Sequence, residues 1–116
     1  MFYKNKKVLV TGGTGFVGTH IVQELLRHNA KVRVPIHKRP LIVKDERVET
    51  VPADLTIQDD CLKAVKGVDY IFHAAGAVAA AGVTTSNPMA AITTNLTLTA
   101  QILQAAWTAN IERVLI

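Results

Sequence analysis

Cysteine is nearly missing from this chain of 116 residues, with Cys61 the sole example. That excludes an internal disulfide and a thiolate metal site, fits a reducing compartment, and leaves Cys61 to be read as a packed side chain. Aromatic residues are scarce too, at 5%. None alternates with the basic clusters, which argues against a surface for single-stranded nucleic acid. No apolar run approaches the roughly 20 residues that a membrane-spanning helix needs; the nearest stretch, Ile71 to Val83, is too short and contains His73. A signal-peptide core is missing as well, because the glycines from Gly12 onward interrupt the apolar stretch behind Lys4, Lys6 and Lys7. The expectation is a cytoplasmic protein with neither a membrane nor a nucleic acid as partner.

What remains is globular: 49% hydrophobic and 19% charged residues, enough for one domain with a sizeable core. The net charge of +4 is unevenly spread. Residues 1 to 50 hold ten Lys/Arg against four Asp/Glu, and residues 51 to 116 hold three against five. The basic excess is therefore local, in the leader lysines and in Lys38 and Arg39.

Hydrophobic periodicity orders the chain. Lys7 to Thr11 reads as a strand buried on both faces. Val17, Ile21, Val22, Leu25 and Leu26 recur at helical spacing from Phe16 to His28, with Asn29 suited to a left-handed cap. Lys31 to Ile36 is a second strand in which Pro35 is tolerable only near the end, because it has no N–H to donate. Residues 37 to 47 are a loop or irregular helix, and Val48 to Ala53 is a third strand. Thr56 and Asp59 resemble a capping box opening a short helix that Gly67 closes. Val68 to Ala74 is a fourth strand. Asn87-Pro88 starts a long helix whose face is marked by Ile92, Leu96, Thr99, Leu103 and Ala106 and which ends near Asn110; Arg113 to Ile116 is a fifth strand. The order predicts an α/β fold, a Rossmann-type parallel sheet with helices on both faces, whose ligands bind beyond the carboxyl ends of the strands.

The motif that belongs at that edge is T-G-G-T-G-F-V-G, Thr11 to Gly18. It satisfies G-x-G-x-x-G through Gly13, Gly15 and Gly18, and a second glycine spacing through Gly12, Gly15 and Gly18. Placed between a buried strand and an amphipathic helix, it suits a dinucleotide pyrophosphate approached by backbone and by the helix-start amides of Phe16 and Val17. The duller alternative is a glycine turn with no ligand. The carboxylate expected roughly 20 residues further on, for the ribose hydroxyls of NAD, is missing. Ile36-His37-Lys38-Arg39 stands there instead, a cationic cluster that favours the 2′-phosphate of NADP over NAD, unless these are merely solvated loop bases.

With A-D-L at Ala53 to Leu55, H-A-A-G at His73 to Gly76 and T-N-L-T at Thr94 to Thr97 following in order, the chain from Lys7 to Ile116 resembles the extended short-chain dehydrogenase/reductases, the NAD-dependent epimerase/dehydratase group. The resemblance implies that the glycines with Phe16 and Val17 hold the pyrophosphate. It also implies that Asp54 and the backbone of Leu55 meet the adenine edge, that Ala74, Ala75 and Gly76 line the centre of the cofactor, and that Asn95 lies near it. A plainer reading makes Asp54 a loop carboxylate and Asn95 a structural hydrogen-bonder. His73 reads as a structural hydrogen-bonding histidine and not as a base. Leu98 stands where the family often has glycine.

The resemblance further implies a catalytic Ser and Tyr-x-x-x-Lys pair. Tyr3 and Lys7 match the pair literally, but they stand before and at the start of the first strand, at the opposite sheet edge, and Tyr70 lies inside the fourth strand with alanine four residues on. The family's own positions would fall beyond Ile116. The expectation is therefore an incomplete dinucleotide-binding domain without catalytic residues or a substrate-binding portion. Its parent would act on a nucleotide sugar as epimerase, dehydratase or keto-sugar reductase, with homodimerisation through the long helix a family expectation. The alternatives are a non-catalytic relative that senses NAD(P), and an S-adenosylmethionine methyltransferase, which the bases at residues 37 to 39 disfavour.

Overall fold

The computed structural model describes residues 3–38, 41, 43–75 and 88–116. In chain order its elements are β1 (Lys7–Thr11), α1 (Phe16–Arg27), β2 (Lys31–Ile36), β3 (Val48–Pro52), α2 (Gln58–Val65), β4 (Tyr70–His73), α3 (Pro88–Thr108) and β5 (Arg113–Leu115). All strand pairs are parallel and the sheet order is β3-β2-β1-β4-β5. The chain steps outward from β1 to β3 and then returns to the other side of β1, so the order reverses between β1 and β4. Thr11 and His73 are paired there at the carboxyl ends of the two strands, the place where such sheets take ligands.

The strands alternate between two cores. Leu9 and Ile71 face α2 and α3, where Cys61, Ala64, Val65, Ile102 and Ala105 are buried with them. Val8, Val10, Val32, Val34 and Tyr70 face α1 through Val22, Leu25 and Leu26. Each fully buried aliphatic side chain contributes about 1.5–3 kcal/mol, so the two layers dominate the stability of the sheet. Cys61 is buried, and burial pushes its thiol up to about 11, making it the inert packing residue that composition suggested.

Two helix ends share one device. Asn29 and Asn110 adopt φ of 62° and 57°. Ala30 and Ile111 donate their amides to Leu25 and Ala106, five residues back, closing the last turns of α1 and α3. At α2, Gly67 takes φ 76°. The buried Arg33 guanidinium donates to the carbonyls of Ala64 and Lys66 at 2.8 and 2.7 Å, with Glu49 held 3.0 Å from its Nε. Pro35 is accommodated because the β1–β2 register runs only to Leu9 and Arg33.

Three expectations are corrected. The Thr56–Asp59 capping box does not form: Ile57 is the N-cap without a side-chain bond, because Thr56 gives its hydroxyl to Asp54. β4 begins at Tyr70 and not at Val68: Val68 still closes the turn after α2 through its bond to Val65, and the β1–β4 register starts only at Val8 and Tyr70. The inward face of α3 is Leu98, Ile102, Ala105 and Ala106. Ile92, Leu96 and Leu103 face outward with Met89 and Trp107. A helix apolar on most sides gives no periodic cue, and the small Ala105 and Ala106 permit the closer approach to the sheet. Asn87, proposed as the cap of α3, lies outside the described residues.

Candidate functional site

A cleft of about 290 Å³ opens at the carboxyl edge beside the β1/β4 reversal. Gly12 and Thr14 contribute from the turn after β1, Pro35, His37 and Lys38 from the end of β2, and Ala53, Asp54, Leu55 and Thr56 from the end of β3. Ala75 follows β4, and Thr94 and Leu98 come from α3. Residues from five elements therefore converge on one hollow. A larger hollow of about 550 Å³ runs along the outer surface of α1, but one helix alone lines it, through Phe16, Val17, His20 and their neighbours.

The turn is shaped by close backbone approach. Gly12 adopts φ 71°, and a Cβ there would lie 2.7 Å from the Ala75 nitrogen and 2.8 Å from the Ala74 carbonyl carbon. A Cβ on Gly18 would sit 1.8 Å from the Gly12 oxygen. These two glycines are demanded by the protein's own packing. Gly15 differs: its Cβ would meet only the Gly12 oxygen, at 3.4 Å. It caps α1 in an extended conformation with no side-chain bond and no acidic residue in the first turn. The first helical amides, beginning with Phe16 and Val17, have no partner inside the helix by its geometry, which leaves positive potential at the mouth of the turn. The bare surface over Gly15 and the uncapped amides fit a pyrophosphate. The Phe16 and Val17 side chains themselves are 82% and 62% exposed.

At the far end of the cleft the groups are side chains. Asp54 accepts the Thr56 hydroxyl at 2.6 Å and the Thr56 amide at 3.0 Å through one oxygen. Its other oxygen lies 3.8 Å from His37 Nε2. The Thr56 hydroxyl, then the Thr56 amide, and the charges of His37 and Lys38 hold the Asp54 carboxyl below the ordinary carboxylate range. A carboxylate does reach this end, but from β3 and already engaged. Lys38 lines the cleft, while Arg39 and Gly76 lie outside the described residues. Asn95 is exposed on α3, and the helix borders the cleft through Thr94 and Leu98.

Sequence reasoning missed Thr11, which is fully buried and whose hydroxyl lies 2.7 Å from His73 Nδ1 while accepting the Ala75 amide at 3.1 Å. Its place immediately before the glycines was the available signal. His73 is a hydrogen-bonding residue in a buried line, and burial lowers its pKa. Tyr3 packs its ring on Tyr70 and Phe72, and Lys7 Nζ lies 3.9 Å from Glu49. Neither residue lines the cleft, as their position at the amino-terminal edge of β1 implied.

This sheet, with its glycine turn at the reversal point, defines a dinucleotide-binding class of α/β protein. Within it, the chain belongs to the NAD dependent epimerase/dehydratase family, whose model matches residues 8–116. It is 34% identical to an uncharacterized membrane protein of Methanocaldococcus jannaschii over 97% of this chain and 35% of that protein. It is also 34% identical to a 3 beta-hydroxysteroid dehydrogenase/Delta 5-->4-isomerase of Mycobacterium tuberculosis, over 92% of this chain and 30% of the relative. Among solved structures, the UDP-glucose 4-epimerase of Thermus thermophilus in complex with NAD superimposes with a TM-score of 0.79 at 27% identity, over 93% of this chain and 36% of that one. The chain thus spans about a third of the length of these proteins. Among the described residues, no helix is long and apolar enough to cross a membrane.

Proposed function

We propose that the chain binds NADP, or NAD, across the carboxyl edge of its sheet, as the cofactor-holding part of an enzyme acting on a nucleotide-activated sugar. The reaction would be an epimerisation, a dehydration or a keto-sugar reduction. The observation that carries the reading is the contrast within the glycine turn. Packing fills the space at Gly12 and Gly18 and leaves it open over Gly15, beside amides with no helical partner. The pyrophosphate lies against Gly15, Phe16 and Val17. Ala74, Ala75 and Gly76 underlie the centre of the cofactor, and Asp54 with Leu55 faces the adenine. His37, Lys38 and Arg39 receive the 2′-phosphate, and Asn95, next to the cleft-lining Thr94 on α3, lies near the cofactor.

A bound nicotinamide would supply hydride transfer. This chain's residues would hold and orient it, and the resemblance leaves the catalytic Ser and Tyr-x-x-x-Lys pair to be supplied by other parts of such an enzyme. The exposed row Met89, Ile92, Leu96, Leu103 and Trp107 on α3 supports the family expectation of pairing between copies. A second substrate class, the hydroxysteroids, is favoured by the 34% identity to the mycobacterial dehydrogenase.

The test is titration of the chain with NADPH and with NADH. NADPH binds more tightly, and Lys38→Ala or Arg39→Ala each weakens it about fivefold while leaving NADH unmoved, the loss expected for one charge-assisted contact at an exposed site. Equal affinities, indifferent to both substitutions, remove the phosphate site. A crystal soaked with cofactor in which the Gly15 turn stays vacant removes the whole reading.

A further inference from the structure

Three polar side chains form a continuous line beneath the cleft, from β1 through β4 to α3. Thr11 Oγ1 lies 2.7 Å from His73 Nδ1, and His73 Nε2 lies 3.2 Å from Thr99 Oγ1. One arrangement of the protons gives every group in this line a partner. Thr11 is fully buried and its oxygen accepts the Ala75 amide; its hydroxyl proton also needs an acceptor, and Nδ1 is the one bonded to it among the described residues. Nδ1 is then the bare nitrogen, and the ring proton sits on Nε2, where it is donated to Thr99. Among the described residues no buried side-chain nitrogen or oxygen lacks a partner, so the line is fully satisfied.

We infer that His73, fixed as the Nε2–H tautomer, is a positioning residue that ties α3 to the Gly12–Ala75 backbone and so sets the opening of the cleft between Ala75 and the α3 residues Thr94 and Leu98. Two geometric facts support it. The Ala75 nitrogen stands 2.7 Å from where a Gly12 Cβ would be, so a small shift of that backbone closes or loosens the turn. Thr99 follows Leu98 directly on α3, so its bond to the ring anchors the stretch of helix that lines the cleft. A purely structural histidine would lower stability everywhere. A positioning histidine changes the local geometry and the affinity of a chain that is still folded. For affinity, the inference rests on the cofactor reading above; for geometry it does not.

The experiment uses the isotope-labelled 116-residue chain. Ring-nitrogen NMR of His73 should show a protonated Nε2 and a bare Nδ1. In Thr99→Val, which removes the acceptor, hydrogen exchange at the Ala75 amide should accelerate and NADPH affinity should fall, each about fivefold for one lost hydrogen bond, with circular dichroism unchanged. Thr99→Ser should restore both. An Nδ1–H tautomer, or a Thr99→Val chain with unaltered Ala75 exchange, overturns the inference. Should Thr99→Val fail to fold, the tautomer of the unaltered chain and Ala75 exchange in Thr99→Ser decide it. A chain that binds no cofactor but shows the tautomer and the Ala75 response overturns the cofactor reading and leaves the tie standing.

Discussion

The turn after β1 and the far end of the cleft at His37 and Asp54 belong to one hollow but are made of different material. In the turn, main chain meets main chain: Gly12, Ala74, Ala75 and Gly18 crowd one another until no side chain fits. At the far end, half-exposed side chains meet across solvent, with His37 and Asp54 only loosely paired at 3.8 Å. Packed backbone has no alternative arrangement nearby, whereas an exposed ion pair contributes little and is readily retuned. On the proposed reading, the first region would govern whether a dinucleotide binds at all, and the second which one.

Substitutions should separate the two regions by size of effect. Gly18→Ala is the most severe, because a Cβ 1.8 Å from the Gly12 oxygen forces α1 away from β1. A loss of about 3 kcal/mol is expected, read as a fall in melting temperature of roughly 15 °C. A variant melting within a few degrees of the parent would show that the turn is more pliable than its geometry. Gly15→Ala sharpens the contrast inside the turn. Its Cβ finds room within the protein, so thermal stability holds while NADPH affinity falls about tenfold, equivalent to roughly 1.4 kcal/mol. Equal loss of stability and affinity would mean that Gly15 is structural like its neighbours.

Asp54→Asn at the other end should be mildest. The amide oxygen still accepts from Thr56, the fold is retained, and removing a negative charge beside His37 and Lys38 raises the preference for NADPH over NADH about threefold. The pH dependence has a definite sign. The folded carboxyl ionises more readily than the unfolded one, so its stabilising contribution is complete above about pH 4 and is lost as pH falls through the lowered folded value. Denaturant titrations across that window should show a shallower acid decline in Asp54→Asn than in the parent. Parallel profiles would assign the loss to other carboxylates.

Legibility in the sequence follows the same division. β1, α1, the cap at Asn29 and the end of α3 near Asn110 were readable because each depends on neighbours along the chain: a β-branched run, a helical apolar stripe, a residue that tolerates positive φ. The glycine motif was readable for the same reason. The inward face of α3 was not, since Ile92, Leu96 and Leu103 are as apolar as Leu98 and Ile102, and contact with α2 and the sheet selects between them. Thr56 was misread as a cap because its true partner, Asp54, competes for the hydroxyl only once β3 has ended and turned.

By itself, the order of residues determined the succession of elements, the parallel sheet and the glycine turn after β1, because these rest on short-range periodicity and on backbone freedom at single positions. Tertiary structure alone decided that Asp54 meets His37, that Arg33 closes α2, and that Thr11, His73 and Thr99 form one line. Those partners are separated by 17 to 62 positions in sequence, from Asp54 and His37 at one end to Thr11 and His73 at the other. They come together only where strand order reverses and the helices dock, and hydrogen-bond direction there is set by burial, which no local pattern encodes.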